Sequence, residues 1–195
     1  GGGQKSDTGL IDDVEVVDVI AKGDYIIHKT CAPLKEGSAV KGKIDYTLRY
    51  KRMQNHTAEH IVSGIVHSIY GYTNVGFHMS ENSMRVDFDG ELKKEDIEKV
   101  ELLANKAVWE NVGVSILFPT KEEAEKIYYR SKLEILFGLR LVKIGDLDCC
   151  ACCAPHVNKT GEIGLIKIID FAPYKRGTRI EMVAGLDALM DYTKI

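Results

Sequence analysis

Residues 53–70, MQNHTAEHIVSGIVHSIY, decide how this chain is read. Met53, Ile61, Val62, Ile65, Val66 and Ile69 recur at helical spacing, so the stretch predicts an amphipathic helix that Gly71 stops. On that helix His56-Thr57-Ala58-Glu59-His60 sets two imidazoles one turn apart on a single face. Far along the chain, Cys152-Cys153-Ala154-Pro155-His156 adds a thiol and a further imidazole in a loop between strands. Four nitrogen and sulfur donors are the set that zinc prefers. Neither pair is specific alone, because histidines at this spacing are as often surface or core residues. Both together point to one zinc site, and spacing leaves a structural and a catalytic metal equally open.

The bulk composition frames that site. With 195 residues, 45% hydrophobic and 28% charged, the chain has enough material for a substantial core. No apolar run approaches the ~20 residues of a membrane span and no leader pattern opens the chain, so a soluble cytoplasmic protein is expected. Four of the five cysteines, Cys149, Cys150, Cys152 and Cys153, crowd within five positions. A disulfide framework would spread them out, whereas a cluster beside a histidine suits metal ligation in a reducing compartment. The net charge of −3 gives no global basic field. Nucleic acid would have to use local groups such as Lys41, Lys43, Arg49, Lys51 and Arg52, or Arg130 with Lys132, or Lys175, Arg176 and Arg179.

Residues 1–50 read as strands (Val14–Ile20, Asp24–Lys29, Ala39–Leu48) broken by Gly23 and the Pro33-to-Gly37 turn, which predicts a small β-barrel or sandwich. The start at Gly1-Gly2-Gly3-Gln4 without methionine gives the expectation of a barrel incomplete at its N-terminus. Beyond residue 50 the texture is α+β. A second helix is expected over Lys94–Val112, a capping box at Thr120-Lys121-Glu122-Glu123 opens a third running to Arg130, and a short helix ends the chain. Strands are expected at Met84–Phe88, Val114–Phe118, Leu139–Ile144, Ile163–Ile169 and Thr178–Val183.

Several motifs stand in a fixed order. They are Gly2-Gly3-Gln4 with Asp7-Thr8-Gly9, then His56 to His60, then Cys152 to His156 followed by Thr160-Gly161-Glu162-Ile163-Gly164, and last Gly177-Thr178-Arg179-Ile180-Glu181. Together they resemble the editing domain of alanyl-tRNA synthetase and its free-standing relatives, the AlaX-type trans-editing hydrolases, over nearly the whole chain. The resemblance implies an α+β fold with a small N-terminal β-barrel (1–50) and a two-layer α/β editing domain (51–195) of the threonyl/alanyl-tRNA synthetase type. It implies zinc on His56, His60, Cys152 and His156, with the Gly2-Gly3-Gln4 turn close to the aminoacyl pocket. Thr57 would help fix serine or a water, and Asn74 and His78 occupy positions that would set amino-acid preference. Where the family loop commonly reads Cys-Gly-Gly-Thr-His, Ala154 and Pro155 stand here, and Pro155 stiffens the loop and removes a hydroxyl.

The implied activity is zinc-dependent hydrolysis of the ester of mischarged aminoacyl-tRNA, seryl- or glycyl-tRNA for alanine, with the aminoacylated acceptor end as partner. No membrane is involved, and the sequence sets no oligomeric state. Two other classes share the same residues. His56 to His60 also matches H-x-x-E-H, the inverted zincin signature with Glu59 as base, which requires a downstream carboxylate ligand. A tRNA- or protein-binding module stapled by a structural zinc would use all four donors and catalyse nothing.

Overall fold

The computed structural model describes residues 4–131 and 138–193. Gly2, Gly3 and Lys132 lie outside the described residues. Strands β1 (Gly9–Ile11), β2 (Val14–Lys22), β3 (Tyr25–Thr30) and β4 (Gly42–Ile44) form an antiparallel sheet in the order β3-β2-β1-β4. The expected barrel is not found: β3 and β4 are edges that no other strand pairs among the described residues. Two of the four strands are only three residues long, too little backbone to curl round and close. The strand expected over Ala39–Leu48 also stops early. Asp45 accepts a hydrogen bond from the Leu48 amide at 3.0 Å and so caps helix α1 (Tyr46–Tyr70).

The second sheet, order β10-β11-β6-β5, combines β5 (Asn74–Met79), β6 (Met84–Phe88), β10 (Ile166–Tyr174) and β11 (Gly177–Ala184), all antiparallel. Its inner face presents Met84, Val86, Phe88, Ile180 and Met182 to α1 and to α2 (Lys94–Trp109), forming the main core. A third sheet joins β7 (Val114–Leu117), β8 (Leu141–Ile144) and β9 (Asp148–Ala151). Helix α3 covers only Lys121–Ala124, although Thr120 and Glu123 make the expected capping box, and α4 (Leu186–Tyr192) ends the described chain. The fold is therefore mixed, with several antiparallel sheets around two long helices. No helix among the described residues is long and apolar enough to cross a membrane.

Helix α1 is the axle. Every residue from Asn55 to Val66 is buried, so the helix is covered on all sides through its middle turns. One stripe (Ala58, Ile61, Val62, Ile65) enters the apolar core. The stripe at four-residue spacing, His56, His60 and Gly64, turns instead toward β9. Its first half is held by charge. Arg52 Nη1 donates to the Ser6 carbonyl at 2.6 Å and Arg49 Nη1 to Asp7 Oδ2 at 3.0 Å, while Lys51 pairs with Asp187 at 2.7 Å. These cations, read in the sequence as candidate nucleic-acid contacts, clamp the chain's own entry segment and α4. Arg130 is likewise withdrawn from the surface, its side chain 12% exposed and paired with Asp148.

Gly64 permits the closest approach in this arrangement. A Cβ there would stand 2.5 Å from the Leu147 carbonyl oxygen and 2.9 Å from the Asp148 Cβ. Gly64→Ala is therefore expected to push the β8–β9 turn off the helix and cost about 1–3 kcal/mol. Urea unfolding reads this directly, and an unchanged midpoint would mean that the turn does not rest on this stripe.

Candidate metal centre

His56 and His60 come from α1, Cys152 follows β9 directly, and His156 ends the loop that leaves it. One ligand atom from each of the four lies within 4.8 Å of the others. Cys152 Sγ is 3.7 Å from His56 Nε2 and 3.5 Å from His156 Nε2. The His156 ring centroid stands 4.8 Å from that of His56 and 4.6 Å from that of His60. Three imidazoles and a thiol converging inside a protein suit a metal ion better than they suit one another.

The outer nitrogens fix which atoms face inward. His60 Nδ1 is 3.1 Å from Asp148 Oδ2, an ionised acceptor, so that nitrogen carries the proton. His56 Nδ1 is 2.9 Å from Gln4 Oε1. His156 Nδ1 is 3.1 Å from Thr57 Oγ1, whose single proton goes to the Met53 carbonyl at 2.8 Å and which also accepts from the Val157 amide at 3.2 Å. Each imidazole therefore donates from Nδ1 and turns Nε2 toward Cys152. The donor set fits a tetrahedral metal of zinc type.

The charges agree. Burial opposes a proton on His60, but the hydrogen bond to Asp148, that to Cys152 and the charge of Glu59 raise its pKa to about 10. Burial also raises Cys152, yet hydrogen bonds from His156, His56 and His60 bring it down to about 3. Burial lowers His156 to about 4, against the pull of Cys152. These directions favour a thiolate beside a protonated imidazole, a positive charge that a bound divalent cation would replace.

The loop is held by Arg140, whose Nη1 donates to the Cys152 carbonyl at 2.5 Å and the Ala154 carbonyl at 3.1 Å. Cys152 is half-buried and Cys153 exposed, so the centre opens to solvent at this edge, with the Phe77 ring 5.1 Å from that of His56 forming a wall. In a second trio, His60, Asp148 and Cys150, the donor atoms also lie within 4.8 Å of one another. There the Arg130 guanidinium already binds both Asp148 oxygens, at 2.7 and 3.0 Å, and supplies the positive charge. Glu59 is buried beside the centre. Its Oε1 accepts from Ser63 Oγ and from Asn74 Nδ2, both at 2.5 Å, and its Oε2 is 4.0 Å from His60 Nε2.

Other residues singled out in the sequence sit differently. Thr57 has its donor and both lone pairs engaged within the protein, which leaves it nothing for a substrate hydroxyl. Asn74 is buried and spent on Glu59, Ser63 and the Gly76 amide. His78 is exposed and opposite Arg85 on the outer face of its sheet, whereas Phe77 pairs with the buried Val86 on the inner face. Gly2 and Gly3, expected near the pocket, lie outside the described residues. Asp148, Arg130 and Arg140 escaped the sequence reading of the site because no spacing rule ties them to the ligands.

Residues 139–182 match the family of the threonyl and alanyl tRNA synthetase second additional domain, a span that includes Cys152 and His156. Across 207 residues the chain is 34% identical to the alanyl-tRNA editing protein AlaX-L of Pyrococcus horikoshii, an overlap of 100% of this chain and 51% of that protein. It is 34% identical over 198 residues to the alanine–tRNA ligase of Ignicoccus hospitalis, covering 95% of this chain and 22% of the ligase. With the alanine–tRNA ligase of Methanococcus vannielii it shares 32% identity over 202 residues, 98% of this chain and 23% of the ligase. The chain thus spans about half of the editing protein and less than a quarter of these ligases. Residues 139–182 match that domain, and the chain is homologous to AlaX-L and to a segment of alanine–tRNA ligases.

Thr57→Val keeps the shape and removes the acceptor for His156 Nδ1–H and for the buried Val157 amide. Metal affinity is expected to fall about 10- to 100-fold, and stability by about 1–3 kcal/mol. Chelator competition and thermal unfolding measure the two effects. Unaltered affinity would show that Thr57 does not orient His156.

Proposed function

We propose, from homology to an alanyl-tRNA editing protein, that this chain is a zinc-dependent aminoacyl-tRNA deacylase. Its substrate would be the ester of serine, or of glycine, wrongly attached to the tRNA for alanine. The observation that carries the reading is the convergence of His56, His60, Cys152 and His156 in a homologue of that protein. Zinc held by these four residues would supply a Lewis acid that polarises a carbonyl and acidifies water.

The protein's own groups define the rest. Substrate would enter at the Cys152–Cys153 edge, where the centre meets solvent, and Phe77 would bound the aminoacyl group. Gln4 uses Oε1 on His56, so its NH₂ remains to donate to a substrate hydroxyl. A site that hydrogen-bonds a hydroxyl discriminates strongly against the analogue that lacks one, which is what separating serine from alanine requires. Gln4 and Asn55 also line a cleft of about 860 Å³ between the first sheet, the start of α1 and the β5–β6 turn, with Lys5, Lys51 and Arg52 on its walls. A terminal nucleotide of the acceptor end fits such a cleft, which adjoins His56 through Gln4. The sheet over residues 9–44 would be a platform for the tRNA, separate in role from the metal-bearing part.

The metallopeptidase reading requires a carboxylate beside the two histidines on the metal. Asp148 instead binds the outer nitrogen of His60, and Cys152 and His156 take the inner positions. The test is deacylation of seryl-, glycyl- and alanyl-tRNA for alanine by the parent, His60→Ala and Cys152→Ala. Seryl-tRNA is expected to be cleaved, alanyl-tRNA spared, and both variants slowed at least about 100-fold, a loss of about 3 kcal/mol in transition-state binding. Undiminished hydrolysis in both variants would remove the metal from the mechanism.

A further inference from the structure

We propose that Asp148, clamped by Arg130, is the positioning residue that commits His60 to bind metal through Nε2. The inference rests on the four-residue metal centre and concerns the one ligand whose outer nitrogen meets a carboxylate. The three outer acceptors are unequal. Gln4 is a neutral amide on the entry segment, and Thr57 a neutral hydroxyl on α1 itself. Asp148 is a carboxylate whose side chain is 1% exposed. Such a carboxylate fixes the imidazole tautomer and makes the opposite nitrogen a stronger donor to a metal.

Arg130 is what makes the carboxylate dependable. Its Nε and Nη2 bind the two Asp148 oxygens at 2.7 and 3.0 Å, a fork that stops the carboxylate rotating. The backbone of Arg130 is itself tied to β9: its amide donates to the Cys149 carbonyl at 2.8 Å, and its carbonyl accepts from the Ala151 amide at 2.9 Å. Asp148 opens β9 and Cys152 follows the same strand. One short strand therefore delivers a metal ligand at one end and the orienting carboxylate of another ligand at the other. Arg130 also occupies the far side of His60 with a fixed cation, which directs a metal to the Cys152 side alone.

The first measurement uses the unaltered protein loaded with zinc. In ¹⁵N-histidine NMR, His60 is expected to carry its proton on Nδ1 and the metal on Nε2; the reverse assignment overturns the proposal. The second compares zinc affinity, by competition with a chromogenic chelator, in Asp148→Asn, Asp148→Ala and the double variant Asp148→Asn with Arg130→Gln. The double variant removes both charges of the Asp148–Arg130 pair together, and circular dichroism checks that it is folded. Affinity is expected to fall about 10-fold with Asn, which keeps an acceptor but no charge, and toward 100-fold with Ala. Seryl-tRNA hydrolysis by the Asn variant should be depressed at limiting zinc and restored at saturating zinc. A folded double variant that holds zinc within about twofold of the parent overturns the proposal. The two readings fail separately: a parent that binds zinc but cleaves no ester refutes the deacylase, while the affinities still decide the role of Asp148.

Discussion

A buried imidazole has two nitrogens, and each must find a partner. Three such rings meet around Cys152, and the protein answers the requirement three times, with an amide, a carboxylate and a hydroxyl on the outer side. Those three acceptors come from the entry segment, from β9 and from α1. Much of the fold can be understood as the means of bringing them there. The Arg49 and Arg52 clamp on residues 6 and 7 holds the segment that carries Gln4, Gly64 lets the β8–β9 turn lie against α1, and Arg140 shapes the loop from Cys152 to Ala154.

The motifs whose order carries the resemblance divide their labour. His56, His60, Cys152 and His156 form the centre, while Thr160 to Gly164 and Gly177 to Glu181 build its scaffold. Thr160 Oγ1 donates to the Ala107 carbonyl and accepts from the Val112 amide, tying the end of α2 to the 3₁₀ turn that follows the metal loop. Glu162 gathers the Asn158 and Lys159 amides and Tyr50, so the loop after His156 is fixed to α1. Thr178 accepts from the Leu92 amide, and Arg179 forks onto Asp87 on the outer face of the sheet. These motif residues staple the scaffold through hydrogen bonds.

Local physics made much of the fold legible. The apolar spacing from Met53 to Ile69, the stop at Gly71, the acidic first turn of α2 and the Thr120 capping box all act within a few residues, and the elements form where those signals stand. Where two local signals competed, the nearer hydrogen bond won: alternation suggested a strand to Leu48, but the Asp45 side chain starts a helix there. Asp148-Cys149-Cys150-Ala151 has neither alternation nor branched apolar residues to signal a strand; β9 exists because β8 pairs with it.

The sequence alone marked the four residues that meet at the centre, since the spacing of two histidines on a helix and of a cysteine and histidine in a loop is a local property. It also determined the kinship, through motifs in order. Only the tertiary structure decided what surrounds those ligands. Thr57 lies against His156, His78 stands on the outer face of its sheet, and Asp148 with Arg130 comes up behind His60 from more than sixty positions away. The reason is physical: a hydrogen-bond partner for a buried nitrogen is selected by distance in space, and strand pairing and helix packing set that distance without leaving a trace in local spacing.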